Sequence, residues 1–203
     1  MIAVIDYGAG NLRNVCKALE YVGAKIALTD NPKEIERADK IVLPGVGAFA
    51  DCLQNLKRRG LCKLLHQIAL GGKPFLGICV GMQLLFDVGE EMGEWEGLGL
   101  IEGRAIKFQV ESFKLKVPHI GWNQVVAKQP NHPVLKDVTP NGYAYFVHSF
   151  HGFDVDTHHV VATTNYGYDF PSVVAKDNIW GIQFHPEKSQ EVGLQMLKNF
   201  VSI

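Results

Sequence analysis

What this sequence lacks is informative. No apolar run approaches the roughly 20 residues that a bilayer-spanning helix needs. The opening MIAVIDYGAG has no basic segment followed by a long apolar one, so no signal peptide is expected. Neither sign of charge is in excess. The formal net charge is −1, which argues against nucleic acid or an anionic membrane surface as partner. The densest basic cluster, Lys57-Arg58-Arg59, stands just before Gly60, where a helix C-terminus would favour cations. Cysteine is sparse. Cys16, Cys52, Cys62 and Cys79 form no C-x-x-C pair, so neither a zinc site nor a dithiol redox motif is expected. Repeats, low-complexity tracts and linkers are also missing, which predicts a single domain over residues 1–203. With 47% apolar and 20% charged residues, a chain of this length builds a core without disulfides, and the cytosol is the expected compartment.

What is there is an alternation of short apolar runs and helical patterns. Residues 2–5, 24–28, 40–43 and 75–78 read as buried strands. Residues 11–22 read as a helix, with Leu12, Val15, Leu19 and Val22 at three- and four-residue steps, and residues 49–56 and 61–70 also read as helical. Strands alternating with helices imply right-handed crossovers and a parallel sheet. The second half is strand-rich, at 106–110, 117–126, 143–150, 160–165, 172–176 and 179–184, with short turns between. This predicts antiparallel hairpins extending the sheet. A helix over 191–201 closes the chain, with Ser189 as its N-cap. The expected class is α/β: an open, mostly parallel sheet flanked by helices, extended antiparallel in its second half.

One stretch poses a chemical question. In KPFLGICVGMQLLF, Cys79 sits between Gly77 and Gly81, after an apolar run and before a helix-forming one. The form G-x-nucleophile-x-G suits a strand-to-helix elbow, in which glycines permit a tight, strained turn and the side chain points outward. The following helix N-terminus favours a thiolate. The Val80 N–H then points where an oxyanion would form. A buried structural cysteine between packing glycines fits the same letters, so the elbow needs a base.

Of eight histidines, His185 in WGIQFHPEKS is the best candidate. Residues two apart on an extended segment face the same way, so Glu187 could orient His185 in one tautomer. That is the logic of a Cys-His-Glu triad. His119 and His148 lie in strand patterns and read as structural. In FDVDTHH, Asp154, Asp156 and His158 alternate as metal ligands might be spaced to do, but a polar hairpin tip explains them better, and no metal is expected. The opening IDYGAGNLR, with Asp30 ending the next strand, partly imitates a dinucleotide site. Arg13 stands where the third glycine of that fingerprint belongs.

Taken together, G-I-C-V-G-M-Q and F-H-P-E resemble the class I, or triad, glutamine amidotransferases. More narrowly, IDYGAGNLRNV, LPGVGAF, GICVGMQLLF, PHIGWN, YFVHSF and GIQFHPEKS resemble the glutaminase subunits of imidazole glycerol phosphate synthase, over nearly the whole chain. The resemblance implies that Cys79 attacks the side-chain amide of L-glutamine, releasing ammonia through a glutamyl thioester, with His185 as base and Glu187 orienting it. It places the oxyanion hole at the N–H groups of Val46 and Val80, with a peptide flip at Val46 eased by glycines on both sides. It assigns substrate contacts to Gly47, Gln83, Glu91, Ser149 and Phe150. It implies docking on a (β/α)8-barrel cyclase that takes up the ammonia, through a face including Asn11, Asn14, Trp122 and Lys188. No cofactor is implied. The acidic, glycine-rich segment 87–97 departs from the pattern and is expected to be a loop, which bears on Glu91.

Three rival readings follow from the same residues. A glutaminase subunit could serve another synthase, but the D-Y-G-A-G-N opening and P-E-K-S oppose it. A non-catalytic scaffold would be expected to have lost Cys79, His185 or Glu187. A cysteine hydrolase of similar architecture need not carry Gln83 or the P-G-V-G segment.

Overall fold

A computed structural model describes residues 1–110 and 115–203. The first half runs β1 (Ile2–Ile5), α1 (Leu12–Tyr21), β2 (Ile26–Thr29), α2 (Pro32–Arg37), β3 (Lys40–Gly45), α3 (Phe49–Arg58), α4 (Leu61–Leu70), β4 (Phe75–Cys79) and α5 (Val80–Gln83). Then come β5 (Val88–Gly89), β6 (Trp95–Glu96), β7 (Arg104–Lys107), β8 (His119–Gln124), β9 (Val126–Ala127), β10 (Tyr143–His148), β11 (Phe150–Phe153), β12 (Val160–Asn165), β13 (Asp169–Lys176), β14 (Ile179–Ile182) and α6 (Gln190–Ser202).

The main sheet has eight strands in the order β2-β1-β3-β4-β14-β13-β12-β9. The first five are parallel and the last three antiparallel. The chain moves one way from β1 to β2 and the other way from β2 to β3 and β4. Right-handed crossovers therefore place α1 on one face and α2, α3 and α4 on the other. Accordingly, α1 packs against α6, and α4 against α2 and α3. The helices bury apolar stripes: Val15 and Leu19 on α1, with Leu12 and Val22 of the expected stripe half-buried, Leu53 and Leu56 on α3, Leu61 and Leu65 on α4, Met196, Leu197 and Phe200 on α6. Each such leucine contributes about 1.5–3 kcal/mol of burial. All five residues of β4 are buried, so the cysteine ends a strand clamped by β3 and β14 on its two sides.

The expectation that the later hairpins all extend this sheet needs correction. Of the later strands, β14 joins it parallel to β4, and β13, β12 and β9 extend it antiparallel. The predicted strand 143–150 breaks at Ser149: β10 pairs with β8 as a separate ribbon, and β11 joins β7, β5 and β6 in a four-stranded sheet. Segment 87–97 is not a plain loop either, because β5 and β6 pair antiparallel within it. The apolar spacing also misses α2, which buries only Ile35. Its signal is a start signal: Asn31 accepts a hydrogen bond from the Lys33 N–H at 3.0 Å, and Pro32 opens the helix.

Candidate active site

Three neighbouring strands deliver the site. β3 ends at Pro44-Gly45, β4 ends at Cys79, and β14 leads into His185. Gly45 lies in register with Cys79, and Ile182 with Ile78. Ligand sites in open parallel sheets lie at such carboxyl ends.

Cys79 carries the strain of the elbow. Its φ is 56° and its ψ −115°, a region that side-chain-bearing residues rarely occupy. The glycines serve a different purpose from the one expected. Gly77 and Gly81 do not have positive φ; they make room. A Cβ on Gly81 would lie 1.9 Å from the Leu43 carbonyl oxygen, and one on Gly77 would lie 2.5 Å from the Gly81 oxygen. Gly45 is equally crowded, 2.5 Å from the Gly81 nitrogen. The elbow thus packs backbone against backbone across β3, β4 and α5. Because α5 is a single turn of four residues, it supplies little of the expected helix dipole.

His185 and Glu187 are buried side by side, with Nδ1 of His185 2.8 Å from Oε1 of Glu187 and side-chain exposures of 3% and 0%. The extended geometry expected for them is not what aligns them. Pro186–Lys188 is a 3-10 turn, which folds Glu187 back onto the ring. With Nδ1 so occupied, Nε2 is the ring nitrogen left free, and Cys79 and His185 line the same cleft. Burial pulls the imidazole down, but hydrogen bonds and charge from Cys79 and Glu187 outweigh it and raise His185 from 6.5 to about 10. The backbone is fixed as well: the His185 N–H donates to the Tyr145 carbonyl at 3.0 Å. Ser189, expected to cap α6 with its side chain, makes no such cap. Its hydroxyl donates to the His185 carbonyl at 2.7 Å and accepts from the Tyr145 N–H at 2.9 Å.

A cleft of about 270 Å³ opens over this group, lined among others by Val46, Gly47, Cys79, Val80, Gln83, Glu91, Ser149, Phe150 and His185. Every residue predicted for the oxyanion hole and substrate is there. Their roles are sharper than the sequence suggested. Gln83 donates from Nε2 to the Phe150 carbonyl at 2.9 Å and to Oε1 of Gln183 at 3.2 Å. Glu91 accepts from the Phe49 N–H at 2.7 Å, holding the first turn of α3 while it faces the cleft. The Ser149 carbonyl accepts from the Phe108 N–H at 3.0 Å. Around Val46, only the Gly47 side has the expected freedom: Gly47 sits at φ +100° in open space, whereas Gly45 is wedged against α5. The loop is tied from beneath by Tyr7, whose hydroxyl donates to the Pro44 carbonyl at 2.6 Å, and by the Cys52 thiol on the Val46 carbonyl at 3.5 Å.

The remaining candidates divide. Asn14 and Lys188 are exposed, and Lys188 lies 5.7 Å above the Tyr145 ring. Trp122 is 47% exposed on β8, beside exposed Ile120. Asn11 is different. It precedes α1 but does not cap it; its side-chain amide donates to Glu187 Oε1 at 3.0 Å. No spacing rule points to this contact across 176 residues. Asp154, Asp156 and His158 form no metal cluster among the described residues, and Asp156 instead accepts the His158 N–H at 2.9 Å. His119 and His148 are both buried, and His148 lines the cleft with Cys79 and His185. Burial holds them low, at about 4 and about 3. Among the described residues no helix is long and apolar enough to cross a membrane.

The chain is similar to known proteins of one family. Residues 3–203 match the family model described as glutamine amidotransferase class-I. A chain from Salinibacter ruber named imidazole glycerol phosphate synthase subunit HisH is 48% identical over all of this chain and 94% of its own. Its namesake from Sulfurimonas denitrificans is 47% identical over 98% of this chain and 97% of its own. A crystal structure of a glutamine amidotransferase superposes with a TM-score of 0.78 at 15% identity, covering the whole of both chains. The PurLQS structure from Thermotoga maritima gives 0.77 at 19% identity over 99% of this chain and 97% of the other, a likeness of fold.

Proposed function

Because the chain belongs to the class-I glutamine amidotransferases, we infer that it is the glutaminase subunit of an imidazole glycerol phosphate synthase, working through Cys79, His185 and Glu187. The observation that carries the chemistry is the strained Cys79 elbow sharing one cleft with an imidazole whose Nδ1 is held by a buried carboxylate. The thiolate of Cys79 attacks the carboxamide carbon of glutamine. The N–H groups of Val80 and Val46 receive the oxyanion. His185 gives its Nε2 proton to the leaving nitrogen, and ammonia departs. A γ-glutamyl thioester remains. His185 then takes a proton from water, which attacks the thioester and releases glutamate. Glu187, steadied by Asn11, keeps the ring in one tautomer throughout. Residues 1–203 act as one domain in this reading.

Ammonia in bulk water at neutral pH is mostly ammonium and a poor nucleophile, so a sealed transfer favours a partner seated over the cleft. The HisH names of the relatives support a synthase subunit in that place. We assign it as a (β/α)8-barrel cyclase. The docking face suggested by exposure is the outer side of the β8–β10 ribbon, where Ile120, Trp122 and Tyr143 present apolar surface next to Lys188. Such exposed aromatic groups are typical interface anchors. The setting is the cytosol. Glutamate release from glutamine tests the reading: the chain alone, with the cognate barrel subunit, and with the barrel plus its nucleotide ligand. Activity that rises with the complete complex and disappears in Cys79→Ala is expected. No glutamate under any of these conditions, with folded proteins, overturns it.

A further inference from the structure

A chain of polar side chains leads to His148, which lines the cleft. The Asn123 amide donates from Nδ2 to the Asn165 carbonyl at 2.8 Å and accepts the Gln124 N–H on Oδ1 at 2.8 Å. Backbone groups have only one role each, so the orientation of this amide is fixed. Nδ2 also lies 3.2 Å from His119 Nε2, which must therefore accept. A neutral imidazole accepting at Nε2 carries its proton on Nδ1, and His119 Nδ1 is 3.0 Å from His148 Nε2. That nitrogen accepts in turn, leaving the His148 proton on Nδ1, 2.8 Å from the Phe150 carbonyl. Both ends of the chain thus agree on a single direction, with both rings neutral and in the Nδ1–H form. His119 is also gripped between Tyr166 and Phe146, with ring centroids at 4.0 and 4.9 Å.

The Phe150 carbonyl is where this chain meets the cleft. It accepts from His148 and from Gln83 Nε2, which fills both of its lone pairs. It cannot serve as an open acceptor for substrate. It can hold Gln83 in one of its two amide orientations, and the Gln183 Oε1 contact supports the same orientation. Gln83 Oε1 is then the end left to the cleft.

We propose that His148, backed by His119 and Asn123, is a positioning residue for glutamine: it pins the Phe150 carbonyl and, through it, the Gln83 amide, so that a fixed acceptor meets a hydrogen-bond donor of the substrate. The assignment rests on the glutaminase reading above. Two measurements test it. Long-range proton–nitrogen NMR on the histidine-labelled full chain, with His119→Phe and His148→Phe as assignment controls, is expected to show both rings unprotonated at Nε2. Kinetics in the complete complex are expected to show KM for glutamine raised about tenfold in His148→Phe with kcat changed less than about threefold, and most of the loss regained in His148→Gln, whose amide can still donate. The apolar variant suits a pocket walled by Phe108, Phe146 and Phe170. Nε2-protonated rings, or a KM indifferent to His148→Phe in an active parent, overturn this assignment alone. A parent without glutaminase activity overturns the functional reading and this assignment with it.

Discussion

At the scale of single residues, the elbow separates chemistry from sterics. Cys79→Ala removes the proposed nucleophile and leaves the backbone path, so glutamate release should fall by about 10³-fold or more while the chain stays folded. Gly81→Ala should do the reverse of what its modest size suggests. Its new methyl meets the Leu43 carbonyl at 1.9 Å, backbone that cannot step aside. We expect a loss of about 3 kcal/mol or more, read as a fall of roughly 6–12 °C in Tm. His185 gives a pH signature. Its folded value, about 10, exceeds its ordinary 6.5, so its charged form contributes stability fully below 6.5 and loses it as pH rises through about 10. The Tm deficit of His185→Gln should therefore be full at and below pH 6.5 and shrink toward pH 10; a deficit that grows with pH would contradict the charged pair. The sequence made Cys79, His185 and Glu187 legible because G-x-C-x-G and H-P-E each bring chemistry within a few residues. It did not reveal Asn11 on Glu187, nor Ser189 on His185, because those contacts depend on how α1, β10 and α6 pack.

Among elements, the β8–β10 ribbon does two jobs on its two sides. Alternation along β8 turns His119 and Asn123 inward and Ile120 and Trp122 outward. Pattern reading saw one strand over 143–150 and so missed that Ser149 divides two sheets. A turnless break of one residue leaves no glycine or proline signal. Replacing outward Trp122 by Ala should leave the fold intact and weaken association with the partner synthase subunit by about 2 kcal/mol, roughly 30-fold, by calorimetry. Unchanged affinity would move the docking face elsewhere. The short pair β5–β6 was hidden by its composition, since glycine and glutamate are poor strand formers.

For the whole molecule, periodicity was enough to give the parallel half. Buried strands alternating with amphipathic helices leave few topologies, and β1 to β4 follow them. The second half depended on which hairpin joins which sheet, a matter of long-range packing that strand patterns do not encode. Stability should be distributed accordingly. Amide exchange should be slowest in β3, β4 and β14, which have neighbours on both sides in the main sheet, and much faster in β6, the edge strand of the four-stranded sheet, and its two-residue neighbour β5. Protection concentrated in β5–β6 instead would refute a core centred on the catalytic strands.

The crowding at Gly45, Gly77 and Gly81 has an evolutionary consequence. Those glycines answer to the Leu43, Gly81 and Val80 backbones rather than to glutamine. A descendant relieved of catalysis would be free to replace Cys79, and even to relax its strained φ with glycine, yet would have to keep the three around it. Loss of activity in this lineage would leave its trace at the centre of the motif and nowhere on its flanks.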